Sequence, residues 1–173
     1  MRRNAPRPTT GDTPAVGIDI GTTYARVAVL DGRGGLRLVA DRYGDQHIPA
    51  VVRHTMHGSE VGYYPERFLV TDLENTVREV PRFLGRYADL PRRVIESAPF
   101  PVYEEEGRAR FNVLYRLTGP EESYARLVTH LVGLAAAQVG GPVREVVLTV
   151  PANAEDRARV SVGAALDAAD CGW

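Results

Sequence analysis

Gly17-Ile18-Asp19-Ile20-Gly21-Thr22-Thr23, inside the run VGIDIGTTYARVAVL from Val16 to Leu30, is the most informative stretch of this 173-residue chain. Ala15–Ile20 is a short apolar run that ends in a carboxylate and a turn, and residues 25–30 (ARVAVL) read as a second strand. A third strand, LRLVA, follows at 36–40 after the turn DGRGG. Strands joined by such short turns are antiparallel neighbours, because a parallel pair needs a long crossover. A glycine turn lets backbone N–H groups approach phosphate oxygens with no Cβ in the way. The hydroxyls of Thr22 and Thr23 add donors, and Asp19 has the chemistry to hold a Mg²⁺ beside the phosphates. An ordinary hairpin with a capping aspartate reads equally well from these residues alone.

Further along, residues 41–117 lack one regular period and read as a small α+β insertion with an acidic turn at 104–107. Pro120 opens a helix, with Thr118 and Glu121 at capping-box spacing and acids in the first turn. Tyr124, Leu127, Val128, Leu131 and Val132 follow at helical spacing until Gly140-Gly141. EVVLTV at 145–150 has the continuous apolar character of a strand buried on both faces, and Pro151 stops it. Asn153 is the expected cap of a last helix through about Ala169, with Val160, Ala164, Leu166 and Ala169 inward. The sum is a mixed sheet: a meander plus a parallel strand reached through a helix.

Composition bounds the function classes. Hydrophobic residues make up 44%, charged residues 25%, and the net charge is -1, which suits a soluble domain and gives no pull toward nucleic acid or a membrane surface. No apolar run reaches the ~20 residues of a bilayer span. Residues 1–14 read as a disordered lead-in. The single cysteine, Cys171, excludes an internal disulfide and points to a reducing, cytoplasmic compartment. All 21 basic residues are arginine. His54 and His57 lack the converging partners a metal site needs, His130 reads as a surface residue, and Tyr63, Tyr64 and Tyr103 read as core or interface aromatics.

Val16–Leu30 resembles the first phosphate loop of the actin, sugar-kinase and DnaK ATPase superfamily. Three later segments resemble the DnaK-type heat-shock chaperones in particular: IPAVV at 48–52, NTV at 75–77 with RFLGR at 82–86, and EVVLTVPANAEDRAR at 145–159. The resemblance runs in order over nearly the whole chain. It implies a ribonuclease-H-like, actin-like ATPase lobe over residues 15–173, with 41–117 as its inserted subdomain. It implies ATP or ADP and Mg²⁺ as ligands. Asp19 would be the catalytic carboxylate that holds the metal through water, Thr22 a catalytic hydroxyl, and Gly21, Thr22, Thr23 and Tyr24 the phosphate-lining residues. Pro151 and Arg159 match positions that relay nucleotide state to a substrate domain. In an intact relative the partners would be unfolded polypeptide or a co-chaperone.

Two departures qualify that expectation. The family's phosphate-side lysine falls on Pro81, which carries neither charge nor donor. The family's second lobe would follow Trp173, so the expectation is a truncated lobe that binds nucleotide weakly or not at all and hydrolyses none alone. Its apolar last strand would have an unpaired edge, which suits a strand-completing partner or self-association. Two alternatives remain open: a non-enzymatic interaction module built on the same lobe, and a sugar-kinase fragment.

Overall fold

The computed structural model describes residues 15–30, 34–87, 89–143, 145–150 and 154–169. The 1–14 lead-in, Pro151, Asn153 and Cys171 lie outside the described residues. β1 (Val16–Ile20), β2 (Tyr24–Leu30) and β3 (Leu36–Leu38) form the antiparallel meander. β4 (Ile48–Pro49) also joins this sheet, pairing Tyr24 with Pro49 and Ala25 with Ile48. After one residue the same chain continues as β5 (Val51–Thr55), the centre of a second sheet between β6 (Gly58–Val61) and β7 (Thr76–Arg78). The insertion also holds α1 (Tyr63–Glu66), α2 (Arg92–Glu96) and a third sheet of β8 (Val102–Glu105), β9 (Arg108–Val113) and β10 (Arg116–Thr118). α3 (Pro120–Val139) then crosses back to β11 (Val146–Leu148), which lies parallel to β1 with Val16 opposite Val146, and α4 (Asp156–Ala168) follows. The architecture is the expected mixed α/β lobe.

Alternation fixes the two faces of the main sheet. Val16, Ile18, Ile20, Ala25, Val27 and Val29 are buried and face the core that α3 closes with Leu127, Val128, Leu131 and Ala135. Each fully buried aliphatic side chain of this set contributes roughly 1.5–3 kcal/mol. Asp19 and Tyr24 belong to the opposite, open face. In the insertion, Phe83, Phe100 and Phe111 meet edge-to-face with centroids 4.9–5.9 Å apart.

Several local expectations are corrected. β11 is not buried on both faces: it is an edge strand of three residues, and Val147 is 65% exposed. Among the described residues the main sheet takes its helix packing from α3 on the core face, so an all-apolar run does not imply two covered faces here. The capping box at Thr118 does not form. Thr118 is still the last residue of β10, Gly119 is the N-cap, and Glu121 instead accepts a hydrogen bond from Ser161 Oγ of α4 at 2.7 Å. Thr118 Oγ1 is left buried with no partner. Thr118→Val should therefore be neutral or stabilise by about 1 kcal/mol, read from denaturant melts. Gly140 ends α3 as expected, in the left-handed region at φ 72°. The N-cap of α4 is Glu155, and its inward stripe is Ser161, Val162, Ala165 and Leu166, while Val160 is 72% exposed. Tyr63, Tyr64 and Tyr103 are partly exposed rather than core.

The histidines divide. His54 is buried at the joint between β5 and α3, its Nε2 2.9 Å from Ser123 Oγ. No group of three metal-ligating side chains occurs among the described residues. His130 is half-buried beside a cavity between Tyr43, Gly62 and Tyr63, not on an open surface. Burial pushes the imidazoles of His54 and His130 below their ordinary value of 6.5. Their unfolded forms bind protons more readily, so this contribution to stability is complete above the unfolded value and is lost as pH falls through the folded one. The melting temperature should drop between pH 7 and pH 5, and His54→Gln should flatten part of that slope in a pH series of thermal melts.

Candidate functional site

The carboxylate, the turn and the end of the parallel strand meet at one corner of the main sheet. Asp19 pairs across the hairpin with Arg26, whose guanidinium lies 3.7 Å from Oδ2. Thr149, just past β11, donates from Oγ1 to Asp19 Oδ1 at 2.6 Å. Its backbone N–H donates to the Ile18 carbonyl at 2.9 Å, so the parallel pairing itself carries Thr149 to the carboxylate. Asp19 is half-exposed, so one carboxylate oxygen is oriented by a hydroxyl while the group stays open to a ligand or a hydrated ion.

The turn is tight for a physical reason. Gly21 N–H donates to the Tyr24 carbonyl at 3.0 Å, and a Cβ on Gly21 would lie 3.0 Å from that same oxygen. A larger residue would need that backbone oxygen to give way by a few tenths of an ångström. The Thr23 carbonyl accepts from Ala50 N–H at 2.9 Å, which pins the turn to the strand that becomes β5. The hydroxyls of Thr22 and Thr23 have no hydrogen-bond partner among the described residues, and Thr23 is exposed. Tyr24 is 44% exposed and meets His47 edge-on at 6.2 Å.

Beneath the turn, Pro81 sits in a 3₁₀ turn, Val80–Arg82, and lines a cavity of about 220 Å³ with Ile20, Leu84, Tyr124 and Val150. Burial raises the Tyr124 phenol pKa, and the charge of Asp19 raises it further, so the hydroxyl stays protonated. Arg82 is held by Glu79 at 3.1 Å and Arg86 by Asp89 at 3.0 Å.

Of the residues singled out in the sequence, Asp19, Gly21, Thr22, Thr23 and Tyr24 share this corner. Arg159 does not: it is exposed on α4, and its Nε donates to the Ala154 carbonyl at 3.3 Å. Sequence reasoning misses two groups at the corner. Thr149 interrupts the apolar run that follows Glu145, a signal that could have found it. Tyr124 carries no signal beyond helical spacing.

Comparison with known proteins supplies the family. The Hsp70 protein family model matches residues 15–171. A heat shock protein of Pyricularia oryzae is 33% identical over 153 residues, covering 85% of this chain and 25% of that protein. Chaperone protein HscA homologs of Azoarcus sp. and Aromatoleum aromaticum are 35% and 36% identical over 148 residues, each covering 84% of this chain and 23% of theirs. The chain thus spans about a quarter of the length of these curated relatives. Read with the meander, the parallel β11 and the glycine turn behind Asp19, the match is decisive: this chain belongs to the Hsp70 family.

Proposed function

We propose that the chain is the nucleotide-binding lobe of an Hsp70-type chaperone, able to hold the phosphate tail of ATP or ADP but unable to hydrolyse it alone. The observation that carries this reading is the pair of hydroxyls, Thr22 and Thr23, without hydrogen-bond partners among the described residues, on a turn held tight at Gly21 and beside an open carboxylate. These residues fit a Mg²⁺–polyphosphate by chemistry: backbone N–H groups and hydroxyls donate to phosphate oxygens, and a carboxylate orders water around the metal. When bound, Mg²⁺ neutralises phosphate charge. Asp19 would hold its hydration shell, Thr149 would keep the carboxylate oriented, and Thr22 and Thr23 would position the terminal phosphates. Pro81 supplies no donor where the family uses a lysine, which argues against turnover.

Isothermal titration with Mg-ATP tests this. Weak saturable binding without phosphate release is expected. Absence of any binding would sink the nucleotide reading, and steady turnover would sink the claim about hydrolysis.

Pro151 and Arg159 are proposed relay positions, unfolded polypeptide or a co-chaperone the proposed partners of a longer protein, and the cytoplasm the proposed compartment. Among the described residues no helix is long and apolar enough to cross a membrane. A second reading, an interaction module, is favoured by the edge position of β11 with its exposed Val147. It predicts dimers or larger species in size-exclusion chromatography that Val147→Lys reduces; a monodisperse wild-type monomer would count against it.

A further inference from the structure

Tyr43 and Tyr63 face each other across the seam between the main sheet and the insertion. Tyr43 lies on the loop that joins β3 to β4, and Tyr63 is the first residue of α1. The loop is stiffened from within. Asp41 Oδ1 accepts from the N–H groups of Tyr43 and Asp45 at 2.8 and 3.0 Å, and Asp45 Oδ1 accepts from His47 N–H at 2.8 Å. On the other side of the seam, Gly62 at φ 92° turns the chain from β6 into α1. A Cβ there would lie 3.3 Å from Ile48 Cγ2 and 4.0 Å from His130 Nε2, so the insertion passes close over the main lobe at this point.

The side chains that cross the seam form a connected set. The Tyr43 and Tyr63 ring centroids are 5.4 Å apart at 55°. The Arg42 guanidinium lies 5.0 Å over the Tyr43 ring, and that of Arg67 lies 5.5 Å over the Tyr63 ring. Two members thus come from the loop and two from the insertion. Beneath them is a cavity of about 480 Å³ whose inner side is His130 and Leu134 of α3. The His130 imidazole is half-buried and makes no hydrogen bond among the described residues.

We propose that Arg42, Tyr43, Tyr63 and Arg67 form a latch between the β3–β4 loop and the insertion. Closed, the latch covers His130 and steadies the loop. That loop runs on through His47, which meets Tyr24 edge-on at 6.2 Å, to Ala50, whose N–H holds the Thr23 carbonyl. Open, the loop and α1 part over the imidazole, while β5 stays on α3 through His54 and Ser123. Tyr43 and Tyr63 are 54% and 43% exposed, so their contact is weak enough to break locally with the core intact. The latch therefore sets how firmly the Gly21–Thr23 turn is held.

The test compares wild type, Tyr43→Ala, Tyr63→Ala, the double variant and Tyr43→Phe. Modification of each histidine by diethyl pyrocarbonate is followed by peptide mass spectrometry, and amide exchange at Ala50 by NMR. His130 should react about five-fold or more faster in either alanine variant, with Ala50 exchange rising alongside it. The double variant should be no faster than the singles, because a latch opens only once. Tyr43→Phe keeps the ring and should keep the wild-type rates. His54, buried on Ser123, should stay as slow as in wild type. An unchanged His130 rate would overturn the proposal. So would a faster His130 with unchanged Ala50 exchange, or effects that multiply in the double variant, since either means simple uncovering of the imidazole. A fast Tyr43→Phe, or a His54 rate that rises in step with that of His130, would overturn it as well.

Discussion

Gly85→Ala should lower the stability of this chain by about 3 kcal/mol or more, a drop of roughly 10 °C in melting temperature for a domain of this size. Two costs coincide. Gly85 has φ 65°, and a Cβ built there would lie 2.5 Å from the Arg157 carbonyl oxygen and 2.9 Å from the Ala158 nitrogen, both backbone atoms of the first turn of α4. The left-handed conformation alone costs about 1 kcal/mol for alanine. The contact cannot be relieved by a side-chain rotation, so α4 must move away from the turn at 83–86, and Phe83 and Leu84, both 2% exposed, lose packing with it. Gly140→Ala separates the terms: Gly140 has φ 72°, yet a Cβ there meets nothing within 4 Å. It should cost only about 1 kcal/mol. Paired urea melts check both values; equal small losses would show that the turn and α4 yield freely.

Asp19→Asn should reduce affinity for Mg-ATP about a hundred-fold while leaving ligand-free stability within about 0.5 kcal/mol of wild type. Asparagine preserves shape and an acceptor for the Thr149 hydroxyl, which donates at 2.6 Å. Only the charge goes. The carboxylate is half-exposed, so its pairing with Arg26 at 3.7 Å adds little to folding. A hydrated Mg²⁺, by contrast, responds strongly to the loss of an anionic partner. The measurement is titration with and without Mg²⁺: the wild type should show metal-dependent affinity and the variant should not. Equal affinities in Mg²⁺ would remove Asp19 from the metal's surroundings.

The parts of the fold that periodicity and turn chemistry specify are legible in the sequence. The meander, α3 with its Gly140 terminus and the parallel β11 follow from apolar spacing, the Asp19–Thr23 turn and the β-branched run after Gly140-Gly141. Local rules fail where tertiary partners compete. Thr118 has capping chemistry, but strand pairing to Phe111 claims its backbone, and Glu121 is taken by Ser161. The phase of α4 is misread from sequence because Val160 looks like a core residue, whereas the helix turns Ser161 and Val162 toward its neighbours. The insertion resists reading because its sheets are short and its hairpin turn uses Leu114 and Tyr115 at φ 51° and 60°, residues that announce no turn. Asn75 compensates by accepting the Leu114 N–H at 2.8 Å, a contact across 39 residues of chain. At the site, the carboxylate and the turn are legible as a local cluster; Thr149 reaches it only through sheet register.

The passage from Ile48 to Thr55 makes one ribbon a member of two sheets, flanking β2 in the first and central in the second. A rotation of the outboard sheet about that ribbon would strain the Ala50–Thr23 bond, so a partner gripping the insertion from outside would also act on the cradle. Conversely, a ligand that stiffens Thr23 stiffens the outrigger. The link runs through the Ala50–Thr23 bond and the short β2–β4 pairing beside it.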